Sequence, residues 1–282
     1  MVNTTTTASA HVSVPGTELY YEKTGSGPLL FLMDGGGGDA RRTGALVERL
    51  SGRYTVVTYD RRGMSRSAVG DPAPELGPQV HTRDLALLME ALSDGPSFLF
   101  GHSVGGVIGL HLTATRPDLV SVYAAHEPSE LALLTGADRE AAAGLIAAAE
   151  ADYRTAGWGP ALAHMARFND IDLANQDAEP DVVPAPMTAE QLANIEFFLA
   201  HEIGSYRRHL LADADLDALG SGPTRVVPLA GRPSDSSWSY RCARNLADRL
   251  GTPLESVPGG HNGLKTHPTA FANRLHEVFG AS

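Results

Sequence analysis

The stretch Ser97–Gly106, with the sequence SFLFGHSVGG, constrains the fold of this chain more than any other. Its apolar start, Phe98–Phe100, predicts a buried strand, and the small residues after Gly105 predict the start of a helix. Between them lies a G-x-S-x-G pentapeptide, which in a strand-turn-helix context is typical of a nucleophile elbow. Glycines at 101 and 105 allow backbone segments to approach closely there. We therefore predict a strained turn that exposes the hydroxyl of Ser103.

Further strands surround this elbow. A hairpin pattern precedes five buried apolar runs, and helix-like segments separate most of those runs. Eight strands with helical connections predict an α/β fold whose sheet is mainly parallel. The predicted strands outside the elbow are His11–Val14, Glu18–Lys23, Leu29–Met33, Thr55–Tyr59, Val120–Ala125, Thr224–Ala230 and one near Pro253–Val257.

The strand pattern is interrupted between residues 130 and 220, where the chain has helix and loop patterns instead. Thr188 and Gln191 have the spacing of a capping box at the start of one of these helices. We predict a helical cap over 130–220, inserted into a sheet domain formed by 11–129 and 221–282.

Composition narrows the possible partners and location. The chain of 282 residues has 22 Lys and Arg against 33 Asp and Glu, a net charge of −11, which argues against nucleic acid or an anionic membrane as partner. Cys242 is its single cysteine, so no intrachain disulfide can form. Residues 1–10 lack the basic and apolar regions of a signal peptide and are predicted to be a disordered tail. We expect a cytoplasmic protein, and a homodimer is compatible with the sequence.

A glycine-rich loop, Gly35–Gly38, follows the first buried strand and admits two interpretations. In one, backbone N–H groups of Gly35 and Gly36 form an oxyanion hole together with the N–H of Val104, the residue after the elbow serine. In the other, the loop is part of a dinucleotide fingerprint, with Asp60 as the acid that binds a ribose. Two strands before the loop and the elbow after it favour the oxyanion hole.

The segment from Asp60 to Ser67 carries several charges at the end of the next strand. Such charges can hold a substrate, but more often they brace neighbouring loops through hydrogen bonds. We predict the bracing role here.

A serine nucleophile needs a base to accept its proton and an acid to orient that base. His261, in a glycine-rich loop after the last strand, is the predicted base. Two carboxylates are candidates for the acid. Asp235 follows the penultimate strand, although its turn from Gly231 is one residue longer than the common G-x-x-D, and Glu127 ends the strand after the elbow. Sequence spacing leaves both open.

Nearly the whole chain resembles α/β hydrolases. A closer similarity is to lactone hydrolases of zearalenone-type macrocyclic lactones and to related bacterial hydrolases. The residues that carry it are Met33-Asp34-Gly35, Gly63-Met64-Ser65-Arg66-Ser67, His126-Glu127-Pro128, Pro258-Gly259-Gly260-His261 and Thr266-His267-Pro268.

This resemblance implies a carboxylic ester as substrate, and most specifically a lactone, without a cofactor or metal. It also implies that Glu127 rather than Asp235 is the acid of a Ser-His-Glu triad, and that Trp158 of the cap touches substrate. Alternative functions are a general carboxylesterase or thioesterase with a Ser-His-Asp triad, and a ligand receptor built on a hydrolase scaffold.

Overall fold

One eight-stranded sheet organises the protein, in the order β1-β2-β4-β3-β5-β6-β7-β8. Strands β1 and β2 form an antiparallel edge, and every pairing from β3 to β8 is parallel. The predicted α/β-hydrolase fold with a mainly parallel sheet is therefore confirmed. The strands are β1 (Thr7–Val14), β2 (Thr17–Gly25), β3 (Leu29–Met33), β4 (Thr55–Tyr59), β5 (Ser97–His102), β6 (Val120–His126), β7 (Arg225–Gly231) and β8 (Glu255–Val257).

The computed structural model describes residues 6–70, 73, 75–172, 176–183 and 186–280. Eleven α-helices lie within these residues, and none of them is long and apolar enough to cross a membrane. They are α1 (Gly44–Leu50), α2 (Pro78–Leu92), α3 (Val104–Thr115), α4 (Gly136–Ala156), α5 (Trp158–Phe168), α6 (Ala189–His201), α7 (Ile203–Arg208), α8 (Asp213–Ser221), α9 (Trp238–Leu250), α10 (Gly263–Thr266) and α11 (Pro268–Gly280).

Helices cover both faces of the sheet because its parallel strands are apolar on both faces. In β3, Leu30 and Leu32 pack with α1 and α11, whereas Phe31 and Met33 pack in the core on the opposite face with α2 and α3. Alternation along a strand sends successive side chains to opposite faces, which explains the continuous apolar run. Both faces are thus closed, and a site can form only at an end of the sheet.

The inserted cap consists of α4 to α7 and lies on the side of the sheet's carboxyl ends. The capping box at the start of α6 is confirmed, since Thr188 Oγ1 accepts from Gln191 N and Gln191 Oε1 from Thr188 N. The predicted cap boundary at residue 220 was wrong by one helix. Helix α8 packs against α3 and α9, with Leu216 and Leu219 buried in the main core, so it belongs to the layer that flanks the sheet.

The prediction of a disordered tail over 1–10 is wrong for residues 7–10, which belong to a strand. Strand β1 begins at Thr7, where the backbone pairs with Thr24 of β2. Residues 7–10 have exposed side chains, so a small and polar sequence there is compatible with a strand as well as with a tail. Backbone hydrogen bonds to β2 hold them in the sheet. Residues 1–5 of the predicted tail lie outside the described residues.

Candidate active site

Ser103 lies at the turn between β5 and α3 with a strained backbone. Its φ of 54° and ψ of −116° are unusual for a residue with a side chain, and such a conformation costs about 1–3 kcal/mol. The turn is tight because a Cβ at Gly101 would lie 2.5 Å from the carbonyl oxygen of Gly105, and one at Gly105 would lie 2.6 Å from that of Asp34. The strained turn predicted from the pentapeptide is therefore present.

His261 and Glu127 are joined by a short hydrogen bond. The Nδ1–H of His261 donates to Oε2 of Glu127 over 2.7 Å, although 134 residues separate the two in sequence. Both side chains are buried, and Ser103 and His261 line the same cavity. A proton held on Nδ1 leaves Nε2 of His261 as the nitrogen able to accept a proton from a serine.

The Glu127 carboxylate is held by several donors besides His261. Gly231 N donates to Oε1 over 2.8 Å, Ser234 Oγ donates to the same oxygen, and Ser239 Oγ lies 3.4 Å from Oε2. Burial alone would raise the pKa of Glu127. The hydrogen bond from His261, the neighbouring imidazoles and Ser234 outweigh burial and hold the pKa of this carboxyl below its ordinary value. Glu127 is thus a fixed anion at neutral pH.

Asp235, the other candidate acid, does not reach this cluster. It is exposed just beyond the turn that follows β7, whereas its neighbour Ser234 is buried and contacts Glu127. Ser234 stands three residues after Gly231, the position of the acid in the common G-x-x-D turn. The serine at that position donates a hydrogen bond to the carboxylate of Glu127, which follows the neighbouring strand β6.

A cavity of about 140 Å³ opens in front of Ser103. The cap contributes its apolar wall, and polar groups of the sheet domain form the opposite side. Gly35, Gly36 and Val104, the predicted oxyanion residues, all line it. Val104 is the first residue of α3, and the first N–H groups of a helix have no partner inside the helix. The apolar wall consists of Leu162, Met165, Ala166, Ile171, Ile195, Phe198 and Leu199.

The geometry does not support a dinucleotide at the glycine loop. The Asp60 carboxylate accepts from Ala40 N over 2.9 Å and from Nε and Nη2 of Arg66 over 2.6 and 2.7 Å. It is fully buried and has no room for a ribose. A Cβ at Gly36 would lie 2.8 Å from the ring of Phe198, so the cap covers the loop where a pyrophosphate would lie. The predicted bracing role of the charged segment after β4 is confirmed.

The resemblance implies that Trp158 touches substrate, and its position in the structure is that of a core-packing residue. It begins α5 and packs, half-buried, against the main core, and it does not line the cavity. Leu162, Met165 and Ala166 are the residues of α5 that line it. Trp158 lies about one helical turn before Leu162 on the same face of α5, and about 6 Å along the helix axis separates the two residues.

A charged cluster on the cavity wall could not be predicted from sequence patterns. The buried Asp34 carboxylate lies 2.9 Å from Lys265 Nζ and 3.4 Å from Arg42 Nε. Burial alone would raise the pKa of Asp34, but Lys265 and Arg42 outweigh it and hold the pKa below its ordinary value. Burial lowers the pKa of Lys265. No group of His, Cys, Asp or Glu among the described residues could hold a metal ion.

His102 and His126, which precede Ser103 and Glu127 in the chain, form a local pair. Their Nδ1 atoms lie 3.0 Å apart, so one ring donates and the other accepts. Burial lowers the pKa of His102 well below its ordinary value and lowers the pKa of His126 to about 4. Both imidazoles are therefore neutral at pH 7, so neither places a positive charge beside His261.

This pair predicts acid-sensitive stability. The pKa of His126 is about 4 in the folded protein against 6.5 ordinarily, so between these values the unfolded chain binds a proton that the folded one does not. We expect the free energy of unfolding to fall as pH drops from 6.5 to 4, by on the order of 3 kcal/mol from His126. Urea unfolding across this range measures it, and His126→Asn should have a shallower dependence. An equally steep dependence in that variant would contradict the prediction.

Comparison with known proteins supports a common fold and ancestry. A family model described as an alpha/beta hydrolase fold matches residues 28–168. An uncharacterized hydrolase of Bacillus subtilis, YraK, is 32% identical over 271 residues, which cover 95% of this chain and 94% of YraK.

Two solved structures share the fold at lower identity. An esterase of Thermogutta terrifontis superposes with a TM-score of 0.73 at 20% identity, covering 97% of this chain and 98% of the esterase. The carboxylesterase CesB of Bacillus subtilis superposes with a TM-score of 0.65 at 14% identity, covering 98% of this chain and 93% of CesB.

Proposed function

The chain belongs to the α/β-hydrolase family and is a hydrolase, and on that premise we propose that it cleaves small carboxylic esters, lactones foremost, through Ser103, His261 and Glu127. The observation that carries the proposal is the 2.7 Å hydrogen bond from His261 Nδ1 to Glu127 Oε2 beside the strained Ser103. A serine hydroxyl is a weak nucleophile at neutral pH, and a base oriented by a carboxylate is what activates it.

In the proposed mechanism, Nε2 of His261 takes the proton of Ser103 as Oγ attacks the ester carbonyl carbon. The carbonyl oxygen becomes negative and accepts hydrogen bonds from the N–H groups of Val104 and of Gly36 or Gly35. The dipole of helix α3 adds to this stabilisation, since its N-terminus is positive. His261 then returns its proton to the departing alkoxide, and an acyl-enzyme remains.

A water molecule activated by the same histidine attacks the acyl-enzyme and releases the acid. With a lactone, the alcohol stays attached to the acyl group, so ring opening produces one hydroxy acid. Glu127 stabilises the imidazolium that forms in each half of the reaction. Its lowered pKa keeps it ionised throughout.

The size of the cavity favours a small substrate. About 140 Å³ is less than the roughly 300–1,000 Å³ of sites that enclose drug-sized ligands. A short acyl chain or a small lactone ring suits this volume, and Phe198 and Met165 belong to the apolar wall that it would contact. A zearalenone-type macrolactone, the larger substrate that the sequence resemblance suggests, would require the cap to move outward.

A substrate panel tests this proposal. We expect hydrolysis of a simple γ-lactone and of p-nitrophenyl acetate, slower hydrolysis of p-nitrophenyl butyrate, and the slowest ring opening for zearalenone. Product formation is measured by pH-stat titration for the lactones and by absorbance for the nitrophenyl esters. If zearalenone were the fastest substrate, the size argument would be wrong while the ester chemistry stood. If folded protein turned over none of the four, the proposed function itself would be wrong.

A further inference from the structure

Arg61 holds the loop that carries the proposed oxyanion donors. It follows β4 by two residues, and its guanidinium is buried with 3% of the side chain exposed. Nη1 donates to the carbonyl oxygen of Gly35 over 2.9 Å, and Nη2 donates to that of Gly36. One side chain therefore binds two successive carbonyl groups of this loop.

The hydrogen bond to the Gly35 carbonyl helps to fix the direction of an N–H group. In a trans peptide the C=O and the following N–H point in opposite directions, so anchoring the oxygen of Gly35 orients the N–H of Gly36. A run of four glycines can rotate its peptide planes at little cost. The carbonyl oxygen of Gly35 also accepts from Gly38 N over 3.1 Å inside the loop, and Arg61 adds an anchor from outside it. Loss of the outer anchor would let this peptide rotate more freely, and an oxyanion donor works only when it is preorganised.

The anion that neutralises Arg61 comes from the cap. Oε2 of Glu202 lies 3.2 Å from Nη2 of Arg61, and Oε1 lies 3.2 Å from Nε2 of His81. Glu202 is fully buried where α6 ends and α7 begins. Burial alone would raise the pKa of its carboxyl, but His81 and Arg61 outweigh burial and hold the pKa below its ordinary value.

The cap also contacts the outer side of the same loop. The ring of Phe198 in α6 packs on Gly36 so closely that a Cβ there would lie 2.8 Å away, and Ile195 packs on Gly37 in the same way. The loop is thus held between α6 on one side and Arg61 on the other. The same helix ends at the carboxylate that pairs with Arg61, so both contacts depend on the position of the cap.

We propose that Arg61 is a positioning residue for the oxyanion hole and that Glu202 holds Arg61 in place, so that the hole is complete only when the cap is seated. This inference rests on the proposed function. It assigns Arg61 no contact with substrate. Its effect is on the transition state, in which the carbonyl oxygen becomes charged, and only weakly on the bound ester, in which that oxygen is neutral.

A matched pair of arginines makes the proposal testable. Arg62, the next residue, is also buried and binds the Asp84 carboxylate through two hydrogen bonds of 2.8 and 2.6 Å, but it does not touch the glycine loop. We compare three variants. One is the single substitution Arg61→Met, the second combines Arg61→Met and Glu202→Gln, and the third combines Arg62→Met and Asp84→Asn. Each double variant removes a buried ion pair without leaving one charge alone.

We expect both Arg61 variants to lose about 100-fold in kcat with KM changed less than about threefold. Affinity for phenylboronic acid, whose tetrahedral serine adduct places an oxygen in the hole, should fall by the same factor. The double variant should recover the urea midpoint lost by Arg61→Met without recovering kcat. The Arg62 pair should lose stability but keep kcat and boronate affinity within about threefold.

Equal losses of kcat in the Arg61 and Arg62 variants would overturn the inference, as would unchanged boronate affinity in Arg61→Met. Should the methionine variants fail to fold, Arg61→Lys replaces them. It keeps the charge but cannot bind two carbonyl groups and Glu202 together, so the same loss in kcat is expected. Failure of the proposed function is distinguishable, because wild-type protein would then neither hydrolyse esters nor bind the boronate.

Discussion

Ser103→Ala is expected to reduce kcat for p-nitrophenyl acetate by about four orders of magnitude or more, because the covalent step has no nucleophile without Oγ. Some acceleration over water should remain, since the oxyanion donors and the cavity are still present. The fold should be unaffected, because the substitution removes one buried oxygen, which makes a 3.3 Å hydrogen bond with Ser129 Oγ. Steady-state kinetics and a urea unfolding curve measure the two effects.

Ser129→Ala is the matched control, since it removes the neighbouring hydroxyl and leaves the nucleophile. We expect its kcat to stay within about tenfold of wild type. A fluorophosphonate should label wild type and Ser129→Ala at one site and should leave Ser103→Ala unlabelled, as intact-protein mass spectrometry can show. Substantial turnover by folded Ser103→Ala would refute the triad and with it the proposed function.

Glu127→Gln is expected to reduce kcat by about three to four orders of magnitude. The amide is nearly the same size but carries no charge, so it stabilises the imidazolium of His261 poorly and can hold the ring in the wrong tautomer. The substitution should also lower stability. Gly231 N and Ser234 Oγ both donate to one carboxylate oxygen, and an amide NH₂ turned toward them would leave buried donors unpaired.

Asp235→Asn separates the two candidate acids. Asp235 is exposed and does not contact His261, so we expect its kcat to stay within about twofold of wild type. Ser234→Ala is an intermediate case, since it removes one donor to Glu127 and should lower kcat by about tenfold. An inactive Asp235→Asn together with an active Glu127→Gln would show that the acid comes from the turn after β7 instead.

Local patterns in the sequence determined a large part of this protein. The apolar run Leu29–Met33 and the strand Thr55–Tyr59 have the predicted bounds, because strands buried on both faces need uninterrupted apolar residues. The turn at Ser103 was predictable because close approach of two backbone segments admits only glycine at 101 and 105. The capping box of α6 was predictable because its hydrogen bonds span three residues.

Only the tertiary structure decided which groups meet. The spacing of Glu127 and Asp235 in the chain is compatible with either acid, and the choice depends on whether a side chain at the end of β6 or one beyond β7 points at His261. The contact of Arg61 with Glu202 joins residues 141 apart, and no local pattern marks it. Trp158 shows the converse, since a residue type suited to binding lies one helical turn from the cavity. Local patterns record what neighbouring residues require of the backbone, whereas a site depends on distances across the sheet, which the packing of the whole chain sets.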